Sequence, residues 1–190
     1  MENNKEMNVL TQLTQMQTEY YENNSKHTLF KRAQKMDCAA SISNNCNIEQ
    51  LVQHTVYIIP NTNRVYLDYT IFKMYASPQT YLPVAKEIIY LFEKCMAEYG
   101  NYSVHINLSS LTISGCERHK SILSLLVNQS VNTGKEYAEL LNTCHIYNPP
   151  NAMDAVLRMS SPFMNPNIKN KIILHSKTDS EQLIHTLFQN

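Results

Sequence analysis

The residues best able to hold a metal or attack a substrate are seven histidines, spread from His27 to His185, and five cysteines, Cys38, Cys46, Cys95, Cys116 and Cys144. Their spacing serves neither purpose. No HExxH run places two imidazoles on one helix face, and no CxxC pair offers two thiolates to one ion, so no zinc site emerges. A GxSxG nucleophile elbow is absent, and no nucleophile and base are arranged around His145 or His175 to make a hydrolase. His119, flanked by Glu117, Arg118 and Lys120, reads as the solvated end of a helix. The three glycines, Gly100, Gly115 and Gly134, supply neither a GxxxxGK[ST] phosphate loop nor a GxGxxG dinucleotide turn. The expectation is a protein that is not an enzyme and needs no metal or cofactor.

Lysine plus arginine equals aspartate plus glutamate at 16 each, so no overall field draws the chain to nucleic acid; an anionic surface must be met by a local patch. A hydrophobic share of 43% with 17% charged residues suits a soluble globular chain of one domain. No run approaches the roughly 20 apolar residues of a spanning helix, and the polar start has no leader pattern. Five scattered cysteines suit free thiols in a reducing compartment. The expected location is cytoplasmic or peripheral to an intracellular membrane.

Positioning elements follow from periodicity. Residues 1–50 are rich in Asn, Gln and Lys and read as a polar, partly helical extension, with an apolar stripe at Val9, Leu10, Leu13 and Met16 and a second helical stretch from His27 to Met36. Ser41 to Asn47 reads as a loop. His54 to Ile59 and Arg64 to Tyr69 read as two strands of a hairpin joined by Pro60 to Asn63. From Pro83 the helical spacing of Val84, Ile88, Leu91, Phe92, Cys95 and Met96 predicts a helix that ends at Gly100. A strand at Tyr102 to Leu108, a well-buried helix at Glu117 to Val131 and a turn of helix at Lys135 to Leu141 come next. Then follow a strand at Thr143 to Tyr147, stopped by Pro149-Pro150, a helix at Asn151 to Met159 with Ala152, Ala155, Val156 and Met159 inward, a strand at Ile172 to His175, and a helix at Ser180 to Phe188. Strands alternating with helices predict an α/β fold: a mixed, mostly parallel sheet flanked by helices.

The stretch from Cys144 to Lys177, CHIYNPPNAMDAVLRMSSPFMNPNIKNKIILHSK, resembles the lipid-binding lobe of the CRAL-TRIO family. The matching order is an Asn-x-Pro triplet ending a strand (Asn148 to Pro150), an amphipathic helix (Ala152 to Met159), a proline-rich turn (Pro162 to Pro166) and a basic entry to the next strand (Lys169 to His175). Upstream, VHINLSSLTIS is similar to a family strand that carries Asp where Asn107 stands. The resemblance runs over roughly residues 55 to 178, so residues 51–190 are expected to form a CRAL-TRIO-like lipid-binding domain.

The resemblance implies non-enzymatic binding of a lipid such as a phosphoinositide in an apolar pocket, with transfer as an extension. The helix after the Asn-x-Pro triplet would be a gate, and Ala152, Val156, Met159, Phe163 and Met164 would line gate and pocket. Each methylene moved from water into such a pocket gains ~0.8 kcal/mol, so the tail would set affinity. The phosphatidylinositol-binding branch implies a head-group pair of Glu139 and Lys171, although that branch's Pro and Arg beside the Glu are Ala138 and Leu140 here. Its phosphatidylcholine positions fall on Tyr102 and Val104, which lack the matching pair of hydroxyls. Arg158, Lys169 and Lys177, with Lys171, would add a basic edge worth ~1 kcal/mol per charge near an anionic membrane, enough for transient contact. Family members carry a larger N-terminal helical lobe than the 50 polar residues found here. The alternative is therefore a CRAL-TRIO-like structural subunit that docks other protein subunits and exchanges no lipid.

Overall fold

A computed structural model describes residues 2–25 and 29–189, with side chains from residue 9 onward. The chain opens with α1 (Glu2–Asn23), α2 (Lys31–Asn44) and α3 (Ile48–Thr55), which leads directly into β1 (Val56–Ile58). The start of the helix expected from His27 lies outside the described residues. Helix α2 runs through most of the expected Ser41 to Asn47 loop, because Ile42 and Ser43 are buried and tertiary packing outweighs their weak helix preference. The strand expected from His54 begins only at Val56. Leu51, Val52 and Thr55 bury along one helical face, and Thr55 Oγ1 hydrogen-bonds to the Leu51 carbonyl and to Tyr75 Oη.

The hairpin closes as expected: β1 pairs antiparallel with β2 (Arg64–Asp68), and Asn61 takes the left-handed turn conformation its short amide tolerates. Tyr69 does not extend β2. It opens an unanticipated helix, α4 (Tyr69–Tyr75), where Asp68 Oδ1 accepts from the Thr70 N–H and five large side chains are buried. The alternation of Arg64 to Tyr69 reads as strand through Tyr69; a capped helix with its large apolar side chains buried overrides it there.

Next come α5 (Tyr81–Tyr99), closed by Gly100 at φ 77°, and β3 (Tyr102–Asn107). The single helix expected over Glu117 to Val131 is two, α6 (Ile113–His119) and α7 (Ser121–Asn132), and α7 is not well buried: Ile122 alone is buried, while Val131 is 71% exposed. After α8 (Tyr137–Leu140) and β4 (Leu141–Tyr147) come α9 (Met153–Ser160), a 3-10 turn (Ser161–Phe163), α10 (Pro166–Lys169), β5 (Ile172–Leu174) and α11 (Lys177–Leu187).

The five strands lie in sequence order; β1 and β2 are antiparallel and β2 to β5 parallel. Right-handed crossovers that always step in one direction deposit every connecting helix on one face. That face carries the main core, in which Val65, Ile146, Val84, Ile122 and Val156 share one cluster with Leu13 of α1 and Cys38 of α2. The first two helices thus bury their apolar stripes on the same core as the sheet. The opposite face is covered by α11, whose Leu187 packs with Ile59, Tyr66 and Tyr147.

Candidate functional site

The parallel register fixes two ends of the sheet, and the head-group candidates sit at the amino end, where α8 enters β4 and α10 enters β5. Lys171 Nζ donates to the carbonyls of Leu141 (2.6 Å), Ala138 (2.8 Å) and Glu139 (3.1 Å). An ammonium has three donors, so all of Lys171's are used in clasping the last turn of α8. The Glu139 carboxylate instead accepts from Asn167 Nδ2 at 2.6 Å. Glu139 and Lys171 are therefore neighbours through the backbone, with no carboxylate–ammonium pair. Tyr102, also at this end, is buried and donates to the Tyr137 carbonyl, while Val104 is half-buried on the core face.

The gate residues divide. Val156 is buried in the main core, together with Met153, and Leu157 packs against it. Ala152 and Ala155 are half-buried, and Met159 and Phe163 line a separate outer groove of about 560 Å³ with Pro162, Arg32, Glu117 and Lys120. Met164 is half-buried. The inward face is thus turned by about one residue from the expected set. Met153, Val156 and Leu157 have the i, i+3, i+4 spacing that identifies such a face, and this signal was present in the sequence. Arg158, Lys169 and Lys177 are exposed. Lys169 Nζ donates to Ser161 Oγ at 2.6 Å and Lys177 Nζ to Asn151 Oδ1 at 2.9 Å, so two of the residues expected to form a basic edge brace the two ends of the α9 segment.

At the carboxyl end, Asn148 holds a left-handed φ of 50° and donates through Nδ2 to Asn107 Oδ1 at 3.0 Å, while its N–H reaches Ser180 Oγ. Asn107 also accepts from the Ser109 N–H. These acceptor roles need an oxygen and no charge, which accounts for Asn where the family carries Asp.

Two histidine arrangements depart from expectation. His119 is buried rather than solvated: its Nδ1 meets Tyr81 Oη at 2.9 Å, its Nε2 has no partner, and its ring packs edge-on against Phe72. Burial, then the charges of Arg118 and Arg32, push it down to about 4. On the α11 face, His105, His145 and His175 stack across three adjacent chain segments, with ring centroids 4.6 and 5.2 Å apart. His105 Nδ1 meets Tyr147 Oη at 2.9 Å, and His145 Nδ1 meets His175 Nε2 at 2.9 Å. Burial, with His145, Arg64 and His175 adding to it, holds His105 at about 3. Parallel rings spaced by the strand repeat do not converge on a point, and among the described residues no group of three or more His, Cys, Asp or Glu is placed to hold a metal ion.

This geometry, an α/β sheet with an Asn-x-Pro turn leading into a short amphipathic helix, has the order of elements on which the sequence resemblance rests. The family model described as CRAL/TRIO domain matches residues 126–189, a segment that runs from within α7 through α9 and α10 to α11. The match covers about a third of the chain and agrees with the CRAL-TRIO resemblance over that segment. No curated protein matches the chain. No helix of the described residues is long and apolar enough to cross a membrane.

Proposed function

We propose that this chain binds a lipid non-enzymatically, with α9 as the movable wall of its binding site and transfer to membranes as the use of that motion. The observation that carries this reading is the family match over 126–189, which falls on the gate segment itself. Energetics make the motion feasible. Exposing Met153 and Val156 costs about 3 to 6 kcal/mol in all, taking roughly 1.5 to 3 per side chain. At ~0.8 kcal/mol per methylene, an acyl chain that places about eight methylenes against the sheet offsets that cost.

For the head group, Glu139 is the better placed of the two candidates: it is exposed, and its carboxylate accepts from the exposed amide of Asn167. Lys171 contributes its charge from within the α8 clasp. Arg158, Lys169 and Lys177 face solvent beside the gate and suit transient contact with an anionic surface, and with lipid in place the protein works peripherally to an intracellular membrane.

A second reading is favoured by one specific observation: Met153 and Val156 fill the space between α9 and the sheet and share the core with Ile146. A side-chain-filled interior suits a structural subunit that docks other proteins and never opens. Native mass spectrometry with organic extraction separates the two. A stoichiometric lipid that travels with the chain, and whose head-group class changes on Glu139→Ala, supports the carrier; a stable, ligand-free chain recovered from a lipid-rich extract rejects it and leaves the scaffold.

A further inference from the structure

A groove of about 680 Å³ opens at the carboxyl ends of β2 and β3, between α1, α2, α4 and α6. Its described lining includes four cations, Lys31, Lys35, Lys73 and Arg118, against one anion, Glu22. That leaves a local excess of three positive charges in a chain whose charges balance overall. Among the described residues none of the four joins an ion pair. Lys73 Nζ donates to Ser110 Oγ at 2.6 Å, and Arg118 Nε is buried without a partner.

Crowding like charges is unfavourable, and the chain does little to relieve it. Lys73 is half-buried; desolvation lowers its pKa and Lys35 and Arg118 lower it further, with Asp68 the opposing charge. Asp68 itself is committed to capping α4 through Thr70. The groove's phenolic wall is fixed by close packing: a Cβ at Gly115 would lie 2.6 Å from Tyr69 Oη, so this approach of α6 to α4 depends on glycine.

We propose that this groove binds a small molecule or head group that carries two phosphomonoesters. Two such groups bring about −3 to −4 of charge, which matches the excess. Lysines serve phosphate as point charges and the arginine fork serves it bidentately. The volume suits a small ligand, within the roughly 300 to 1,000 Å³ range of such sites, and the balanced charge of the whole chain argues against extended nucleic acid. The site lies at the opposite end of the strands from Glu139 and Lys171, so it stands whether or not a lipid occupies the core.

The test uses the full chain with two probes, soluble inositol 4,5-bisphosphate in calorimetry and vesicles containing phosphatidylinositol 4,5-bisphosphate in co-sedimentation. The expected result is saturable one-to-one binding whose Kd rises at least tenfold in Lys31→Gln/Lys35→Gln, two exposed positions that leave folding intact by circular dichroism. Lys94→Gln, at an exposed position on α5 away from the groove and the gate, leaves Kd unchanged. Binding of the soluble probe without vesicle recruitment identifies a free phosphorylated ligand; recruitment lost in the same double variant identifies a lipid head group. Absence of saturable binding to both probes, or an unchanged Kd in the double variant, overturns the proposal.

Discussion

Lys171 and Lys35 stand at opposite ends of the same parallel sheet, and their surroundings differ in one respect that decides what each can do. At the amino end, Lys171 spends every donor on carbonyls of the α8–β4 junction. At the carboxyl end, Lys35 lines a groove with three other cations and has no carboxylate partner among the described residues. A coordinated charge holds the fold; an uncoordinated one costs the fold a little and leaves it open to an anion. Residue type alone does not distinguish the two, since both are lysines and both lie near the ends of strands.

The largest effect that would test this contrast is on Lys171. Lys171→Met leaves three carbonyls without their charged donor and is expected to cost about 3 kcal/mol in urea unfolding, taking ~1 kcal/mol or more for each lost partner. Unchanged stability with lost lipid retention would instead make Lys171 a ligand contact and erase the contrast.

Acid acts next, through one buried histidine on each side of the sheet, His119 and His105. His119 and His105 are held at about 4 and about 3 in the folded chain, against ~6.5 when unfolded. The unfolded chain therefore takes up protons first as pH falls. Stability is complete above about pH 6.5 and declines below it, by up to ~1.4 kcal/mol per pH unit for each histidine until its folded value is reached. About 3 kcal/mol of the full value should be gone one unit below 6.5 by this linkage, and His119→Phe should flatten the slope. An unaltered slope in that variant would show that buried His119 does not contribute to acid sensitivity.

The smallest effect is the most discriminating. Lys35→Gln should change stability by less than ~0.5 kcal/mol, as for an exposed side chain outside any network. A loss above ~1 kcal/mol would mean that Lys35 is a brace of the same kind as Lys171.

Much of this was legible in the sequence, for identifiable reasons. The hairpin turn at Pro60 to Asn63, the stop of α5 at Gly100 and the alternation of strands with helices are local signals, and the sheet follows them. The short helix α9 was located through its motif order, but its inward face was misread by a residue, because alanines at 152 and 155 fit either phase. What the sequence hid was made by register and crossover. His105, His145 and His175 become neighbours only because β3 to β5 pair in parallel, as His105 opposite His145 shows. The cations of the groove come from three helices and are separated by up to 87 residues, Lys31 to Arg118; no spacing rule links them. His119 was read as solvated from its charged neighbours, whereas the turn of α6 carries it inward against Phe72 and Tyr81.

Strand β5 has a further consequence. Its three residues pair with β4 on one side, and Ile173 and Leu174 are 40% and 45% exposed. Such a rim is a template on which another chain's extended segment can polymerise. Here the template is brief, and Lys169 and Lys177 flank it on either side. A foreign strand would gain few backbone hydrogen bonds before meeting positive charge, so the rim's shortness acts as a built-in guard for the colloidal behaviour of the folded protein.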